Sequence, residues 1–191
     1  MIDVWYVDLE NATVPPPTPG ETARAVRLAT SEQQRQYLKT HGALRAILGS
    51  MTDARLEFAR LEKGKPYLPL APHIRFNLAR SHERAVIAVS KEVEVGVDIE
   101  RIRPIPNFVA VAERFFPPDE GTPADETDFF RRWTRIEALL KARGVGLYGA
   151  GALIDGEWTV QELNVGEGYI GAVAGAGEGQ IIRLHAFGTD E

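Results

Sequence analysis

An α+β fold is the class this sequence predicts, on three observations. The first ten residues, MIDVWYVDLE, set Val4, Tyr6 and Asp8 on one side and Trp5, Val7 and Leu9 on the other, as a strand does. From Glu21 to Met51 the spacing turns helical, and Tyr37, Leu44, Leu48 and Met51 form an apolar stripe suited to core packing. The order strand, helix, strand fills residues 1–90 and recurs in 91–191, with no clear sequence repeat behind it. Two α+β halves, 1–90 and 91–191, are therefore expected.

Taken in order, Pro15-Pro16-Pro17-Thr18-Pro19-Gly20 is expected to break regular structure, and Ser31 with Gln34 three residues on reads as a capping box. Gly64-Lys65-Pro66-Tyr67-Leu68-Pro69 is a turn, and Phe76 to His82 leads into an apolar strand at Ala85–Val89. In KEVEVGVDIE, Val93, Val95, Val97 and Ile99 alternate with Glu94, Gly96, Asp98 and Glu100, which predicts a strand with one wet face. Phe108, Val109, Ala112, Phe115 and Phe116 have helical spacing that ends at Pro117-Pro118. The next helix is expected to start with Thr122 as cap, Pro123 in first position and Asp125 reaching back, and to stop at Gly144. Its buried stripe is Phe129, Trp133, Ile136 and Leu140, with Glu137, Lys141, Phe130 and Thr134 on the flank. From Gly144-Val145-Gly146-Leu147 onward, short strands and glycine-rich turns are expected up to Phe187, and His185 is not expected to be catalytic.

Composition narrows the functional classes. A net charge of −5 over 191 residues argues against a sequence-independent grip on nucleic acid. No apolar run approaches the roughly 20 residues that a membrane span requires, and the first residues lack the basic start of a signal peptide. With no cysteine, disulfides, thiolate metal sites and a cysteine nucleophile are excluded. A soluble cytoplasmic protein is the expectation.

The chemistry concentrates between Val95 and Lys141. Asp98 and Glu100 are two apart in a strand, so their carboxylates leave one face roughly 7 Å apart. Glu137 and Lys141 are four apart in a helix, so they share one stripe. If strand and helix face one another, three carboxylates and an ammonium converge on a site for a hard divalent cation and a phosphate. Each half also has an ordinary structural reading, as a solvated strand face and a surface ion pair. Arg24, Arg27 and Arg45 read equally well as solvated helix charges, Lys65 as a loop lysine and His82 as an exposed turn residue.

In order, V-G-V-D-I-E from Val95 to Glu100 and W-T-R-x-E-A-L-L-K-A from Trp133 to Ala142 resemble the paired signature of the 4′-phosphopantetheinyl transferases. The likeness is to the long, monomeric type that activates peptide and polyketide synthases. That resemblance implies two similar α+β subdomains in a pseudo-twofold arrangement with coenzyme A in the cleft between them. It implies Asp98, Glu137 and Lys141 as catalytic residues and Asp98, Glu100 and Glu137 as magnesium ligands. E-T-A-R-A-V-R-L and A-L-R-A-I-L-G resemble the places where the family meets the 3′-phosphate end of coenzyme A, which gives Arg24, Arg27 and Arg45 that role. The G-K-P-Y loop of Lys65 and Pro66 would lie over the nucleotide. Arg80, Ser81 and His82 resemble the family's F-N-L-S-H-S segment, with Ala79 and Arg80 in place of its first serine and histidine. Asp98 and Lys141 would also touch the coenzyme. The A-x-R-F-F stretch ending at Phe116 would flank a docking surface for a carrier protein. Ile136 departs from the lysine that many relatives place before the glutamate.

What the resemblance implies is a magnesium-dependent holo-acyl-carrier-protein synthase activity: a carrier-protein serine attacks the β-phosphate of coenzyme A and 3′,5′-ADP leaves. Glu137 or a metal-bound water would take the serine proton, and the sequence leaves both open. The competing expectations are a magnesium-dependent hydrolase of nucleotide diphosphates and a non-catalytic coenzyme A-binding module.

Overall fold

A computed structural model describes residues 1–117, 120–145 and 156–188. Its elements are β1 (Ile2–Asp8), α1 (Pro19–Ala25), α2 (Ser31–Gly49), β2 (Ala59–Arg60), β3 (Pro66–Tyr67), β4 (Arg75–Ser81), β5 (Arg84–Ser90), β6 (Val95–Arg101), α3 (Phe108–Phe115), α4 (Glu126–Arg143), β7 (Trp158–Leu163), β8 (Tyr169–Ala176) and β9 (Ile182–Ala186). The α+β class expected from the alternating and helical stretches is the architecture found. Among the described residues, no helix is long and apolar enough to cross a membrane.

One sheet has the order β4-β5-β1-β9 and the other β6-β8-β7, with β2 and β3 a separate hairpin. In β1, Ile2 and Val4 pack toward the second sheet while Val7 packs toward α2, so the alternating strand is buried on both faces. α2 supplies Ala43, Leu44, Ile47 and Leu48 to the outer core, against Ile87 and Val89 of β5 and Phe76 of β4. Val86 and Ala88 of β5 meet Val95, Val97 and Ile99 of β6 in the core between the sheets. α4 lies over the other face of β6 and β8, where its Ala138 and Ala142 meet Ala172 and Ala174. The second-half strand β9 pairs in parallel with β1, Val4 opposite Leu184, so the first half's sheet is completed by residues beyond 90.

The helix starts differ from the expected ones. Pro19 and Gly20 open α1 instead of breaking structure: Thr18 accepts from Glu21 N and Glu21 accepts from Thr18 N, a capping box with proline at the helix start. Thr30, not Ser31, caps α2 through Gln33 N. Asp125, not Thr122, caps α4 by accepting from Asp128 N, and Asp128 returns the bond to Ala124 N. Gly144 ends α4 in the left-handed conformation, φ 67°, as expected. Phe130 and Thr134 are fully buried rather than flanking, because α4 is enclosed by β6, β8 and the α3 side at once. Trp133 packs among Phe115, Phe116 and Phe129. Pro118, Gly146 and Leu147 lie outside the described residues.

Candidate active site

Close approach of α4 to β6 builds the site. Gly96 sits so near the helix that a Cβ there would stand 2.1 Å from the Ala138 carbonyl oxygen and 2.2 Å from Ala142 N. The strand face expected to be wet is therefore covered, and Asp98, next on that face, is buried beneath α4. Lys141 reaches down from the helix and donates to Asp98 Oδ1 at 2.5 Å, with the carboxylate side chain 8% exposed and the lysine 31%. The second oxygen, Asp98 Oδ2, is buried and has no hydrogen-bond partner.

The electrostatics follow from that burial. Desolvation pushes the Asp98 carboxyl up to about 6, and the charges of Glu137 and Glu100 push the same way while Lys141 opposes them. That the shift remains upward with an ammonium at bonding distance shows how strongly the site disfavours a lone negative charge. Desolvation also raises Glu137, with Lys141 opposing and Glu100 adding to the rise. Glu100 stands at the open end, where its Oε2 accepts from Ser81 Oγ at 3.0 Å and from Arg103 Nη1 at 2.9 Å.

Asp98, Glu100 and Glu137 are thus within electrostatic reach of one another but do not form a closed cage. Among the described residues no three His, Cys, Asp or Glu side chains are gathered as metal ligands. The donor set nevertheless fits a hard cation. A buried carboxylate oxygen without a partner is what such an ion satisfies, and magnesium takes one or two carboxylates while keeping waters and substrate phosphates.

The cations expected to meet coenzyme A are distributed unevenly. Arg80 is half-buried, and its guanidinium, 6.0 Å from the Tyr37 ring centroid, makes no hydrogen bond or ion pair among the described residues. Burial lowers its pKa, with Tyr37 opposing. The charges of Arg24, Arg60 and Arg80 all bear on Tyr37, whose own pKa burial raises. Beside them is a cavity of about 440 Å³ lined by Tyr37, His41, Arg45, Phe58, Arg60 and Pro66, among others. Arg24 and Arg27 are exposed on and just after α1. Arg45 is bound to Glu21 Oε1 at 2.9 Å and to the Pro16 carbonyl at 2.7 Å. Lys65 donates to Glu94 Oε2 and to the Ala142 carbonyl, each at 2.6 Å.

Ser81 has a double role. Besides donating to Glu100, its Oγ accepts from Arg101 N at 3.1 Å, and Asn77 Oδ1 accepts from Val97 N at 3.0 Å. His82, φ 49°, is exposed in the β4–β5 turn with Nδ1 3.4 Å from Ser81 Oγ. Sequence reasoning missed Asn77, Arg60, Arg103 and Glu94. The first carried a signal, an amide between Phe76 and Leu78 in an otherwise apolar run, whereas the others look like any surface charge.

A buried acid bonded to a lysine, with two further carboxylates within electrostatic reach, makes this an α+β protein with a charged site whose donor set suits a hard cation. Residues 94–184 match the model of the 4′-phosphopantetheinyl transferase superfamily. The chain is 35% identical over 140 residues to 4′-phosphopantetheinyl transferase HetI of Nostoc sp., an overlap of 66% of this chain and 59% of that protein. It is 30% identical over 154 residues to the 4′-phosphopantetheinyl transferase of Bacillus subtilis, covering 69% and 67% of the two chains. Over 94 residues it is 43% identical to 4′-phosphopantetheinyl transferase psf-1 of Bacillus pumilus, 45% of this chain and 39% of that one. The chain belongs to the 4′-phosphopantetheinyl transferase superfamily, and it spans a little over half of the length of HetI.

Proposed function

We propose that this chain transfers the 4′-phosphopantetheine group of coenzyme A to a serine of an acyl or peptidyl carrier protein, with magnesium. The observation that carries the reading is the Asp98–Lys141 pair: a buried carboxylate with one oxygen held by an ammonium and the other without a partner. The serine oxygen bonds to the β-phosphorus, the bond to the α-phosphate oxygen breaks, and 3′,5′-ADP departs with the electron pair. Magnesium, held by Asp98 with Glu100 and Glu137, would supply charge stabilisation for the phosphates. Lys141 sets a positive charge beside the same group and lowers the cost of the negative charge in the transition state. Glu137, whose pKa burial raises above the ordinary carboxylate value, is suited to take the serine proton. Arg80 and Arg24, whose charges both act on Tyr37 in the cavity wall, give the 3′-phosphate end of coenzyme A its cationic partners.

The test is to incubate the protein with coenzyme A, magnesium and an apo carrier protein and to weigh the carrier. A phosphopantetheine adduct supports transfer. Cleavage of coenzyme A without an adduct would make the chain a hydrolase, and binding without turnover a coenzyme-binding module.

A further inference from the structure

We propose that Lys65 is a positioning residue for the reaction, reaching from the first half of the chain to hold the last turn of α4 and thereby place Glu137 and Lys141. The inference rests on the transfer reading above and gives the lysine of the G-K-P-Y turn a task other than phosphate contact.

The geometry is that of a helix anchor. Ala142 stands in the last turn of α4, where helix carbonyls have no partner further along the helix. Lys65 Nζ meets that carbonyl at 2.6 Å and places a positive charge at the negative end of the helix. The same nitrogen binds Glu94 Oε2 at 2.6 Å, and Glu94 Oε1 binds Arg75 Nε at 2.7 Å, so the ammonium is itself held in place. Glu94 leads into β6 and Arg75 begins β4, so one cluster ties the β2–β3 turn, both strands and the catalytic helix together. The turn is closed beneath Lys65 by its own backbone, Leu61 N to Lys65 O at 2.9 Å and Gly64 N to Leu61 O at 2.8 Å. Gly144 lies against the aliphatic stem of Lys65, and Gly96 presses on Ala142 from the strand side. With its side chain 8% exposed, Lys65 would have to abandon both bonds to reach a phosphate. Lys141 directly precedes the residue whose carbonyl is held, and Glu137 is one turn back. A shift of the last turn is therefore felt first at the two helix residues of the site.

The experiment compares wild type with Lys65→Met and Lys65→Arg, reading kcat and KM for coenzyme A in carrier modification and, without substrate, amide deuterium uptake along α4. Lys65→Met is expected to lower kcat about tenfold or more with KM changed less than about twofold, since small misplacements of reacting groups cost rate. Uptake at Ala142–Val145 should rise in the same variant. Lys65→Arg should not restore kcat, because the socket is built around a compact ammonium, whereas a phosphate contact would accept arginine. A raised KM with kcat and uptake unchanged, or full rescue by arginine, overturns the proposal. Should wild type modify no carrier at all, the transfer reading falls, while unchanged uptake in Lys65→Met would refute the anchor by itself. If Lys65→Met does not fold, Glu94→Gln, which loosens the ammonium without removing it, is expected to raise uptake at the same amides, and unchanged uptake there counts against the anchor.

Discussion

Gly96 of β6 and Ala138 of α4 touch backbone to backbone, with a Cβ on the glycine falling 2.1 Å from the alanine carbonyl oxygen. Nothing flexible lies between them, so any side chain at 96 must push the helix off the strand. Gly96→Ala is expected to cost about 1–3 kcal/mol or more by overpacking and to lower kcat about tenfold or more through misplacement of Glu137 and Lys141. Urea unfolding and steady-state kinetics on the same variant check both. Wild-type kcat in Gly96→Ala would show that helix placement does not govern the reaction.

The two sheets meet where β4 and β6 run side by side, and side chains make the ladder between them. Asn77 bonds Val97 N and, four residues on, Ser81 bonds Arg101 N. Asn77→Ala leaves a buried amide without a partner, an expected loss of about 1–3 kcal/mol. Ser81→Ala should cost less, because Arg101 is exposed at the strand end. If thermal unfolding ranks the two variants the other way, the amide of Val97 has found another partner.

Magnesium binding can be read without turnover. A ligand at about one hundred times its Kd adds about 2.7 kcal/mol, a rise in Tm of roughly 5–10 °C for a chain of this size. Wild type with coenzyme A should show a rise of that kind on adding magnesium and lose it to a chelator. Asp98→Asn, which replaces the partnerless carboxylate oxygen, should remain folded, show little magnesium-dependent rise and transfer about 10²–10³-fold more slowly. An undiminished rise in that variant would place the metal elsewhere.

Much of this site was legible in the sequence, and the illegible part has a physical reason. The period-two run through Val95–Ile99 and the four-residue step from Glu137 to Lys141 put the acids and the lysine on faces that do meet. Periodicity could not tell that the strand's polar face would be roofed by a helix, since a buried Asp98 and a wet one have the same spacing. Helix starts were misplaced because several capping residues stand in a row, as with Thr30 and Ser31, and only the backbone conformation selects among them. The cations were hardest. A sequence shows a charge at Arg45 or Lys65 but not the carboxylate or carbonyl far along the chain that has already engaged it.

Acid stability should report on Glu21, the residue that binds Arg45. Burial raises its pKa, but the Thr18 N–H and the Arg45 guanidinium outweigh burial and hold it below the ordinary value of 4.5. A carboxyl whose folded pKa is depressed contributes stability that is fully present above its unfolded value and lost as pH falls through the folded one. Wild type is therefore expected to exceed Glu21→Gln by about 1–3 kcal/mol at pH 7. That gap should narrow below about pH 4.5 and close as Glu21 protonates. A gap that stays constant from pH 7 to pH 3 would mean the carboxylate's charge contributes nothing.

Arg80 gives the sharpest test of where the coenzyme lies, because its half-buried guanidinium lies over the Tyr37 ring and makes no hydrogen bond or ion pair among the described residues. Hydrogen bonds to a charged group contribute about 1.5–3 kcal/mol. Arg80→Ala should therefore raise KM for coenzyme A about 10–100-fold while leaving kcat within a few-fold, since the guanidinium lies over Tyr37 of α2 and is not among the charges that act on Asp98 or Glu137. The same variant should lose the preference for coenzyme A over 3′-dephospho-coenzyme A. Arg80→His restores a cation only while the imidazole is protonated, below about pH 6.5. Its KM should approach that of wild type near pH 6 and drift toward the alanine variant by pH 8. If Arg80→Ala discriminates between the two coenzymes as well as wild type does, the 3′-phosphate is bound by other residues.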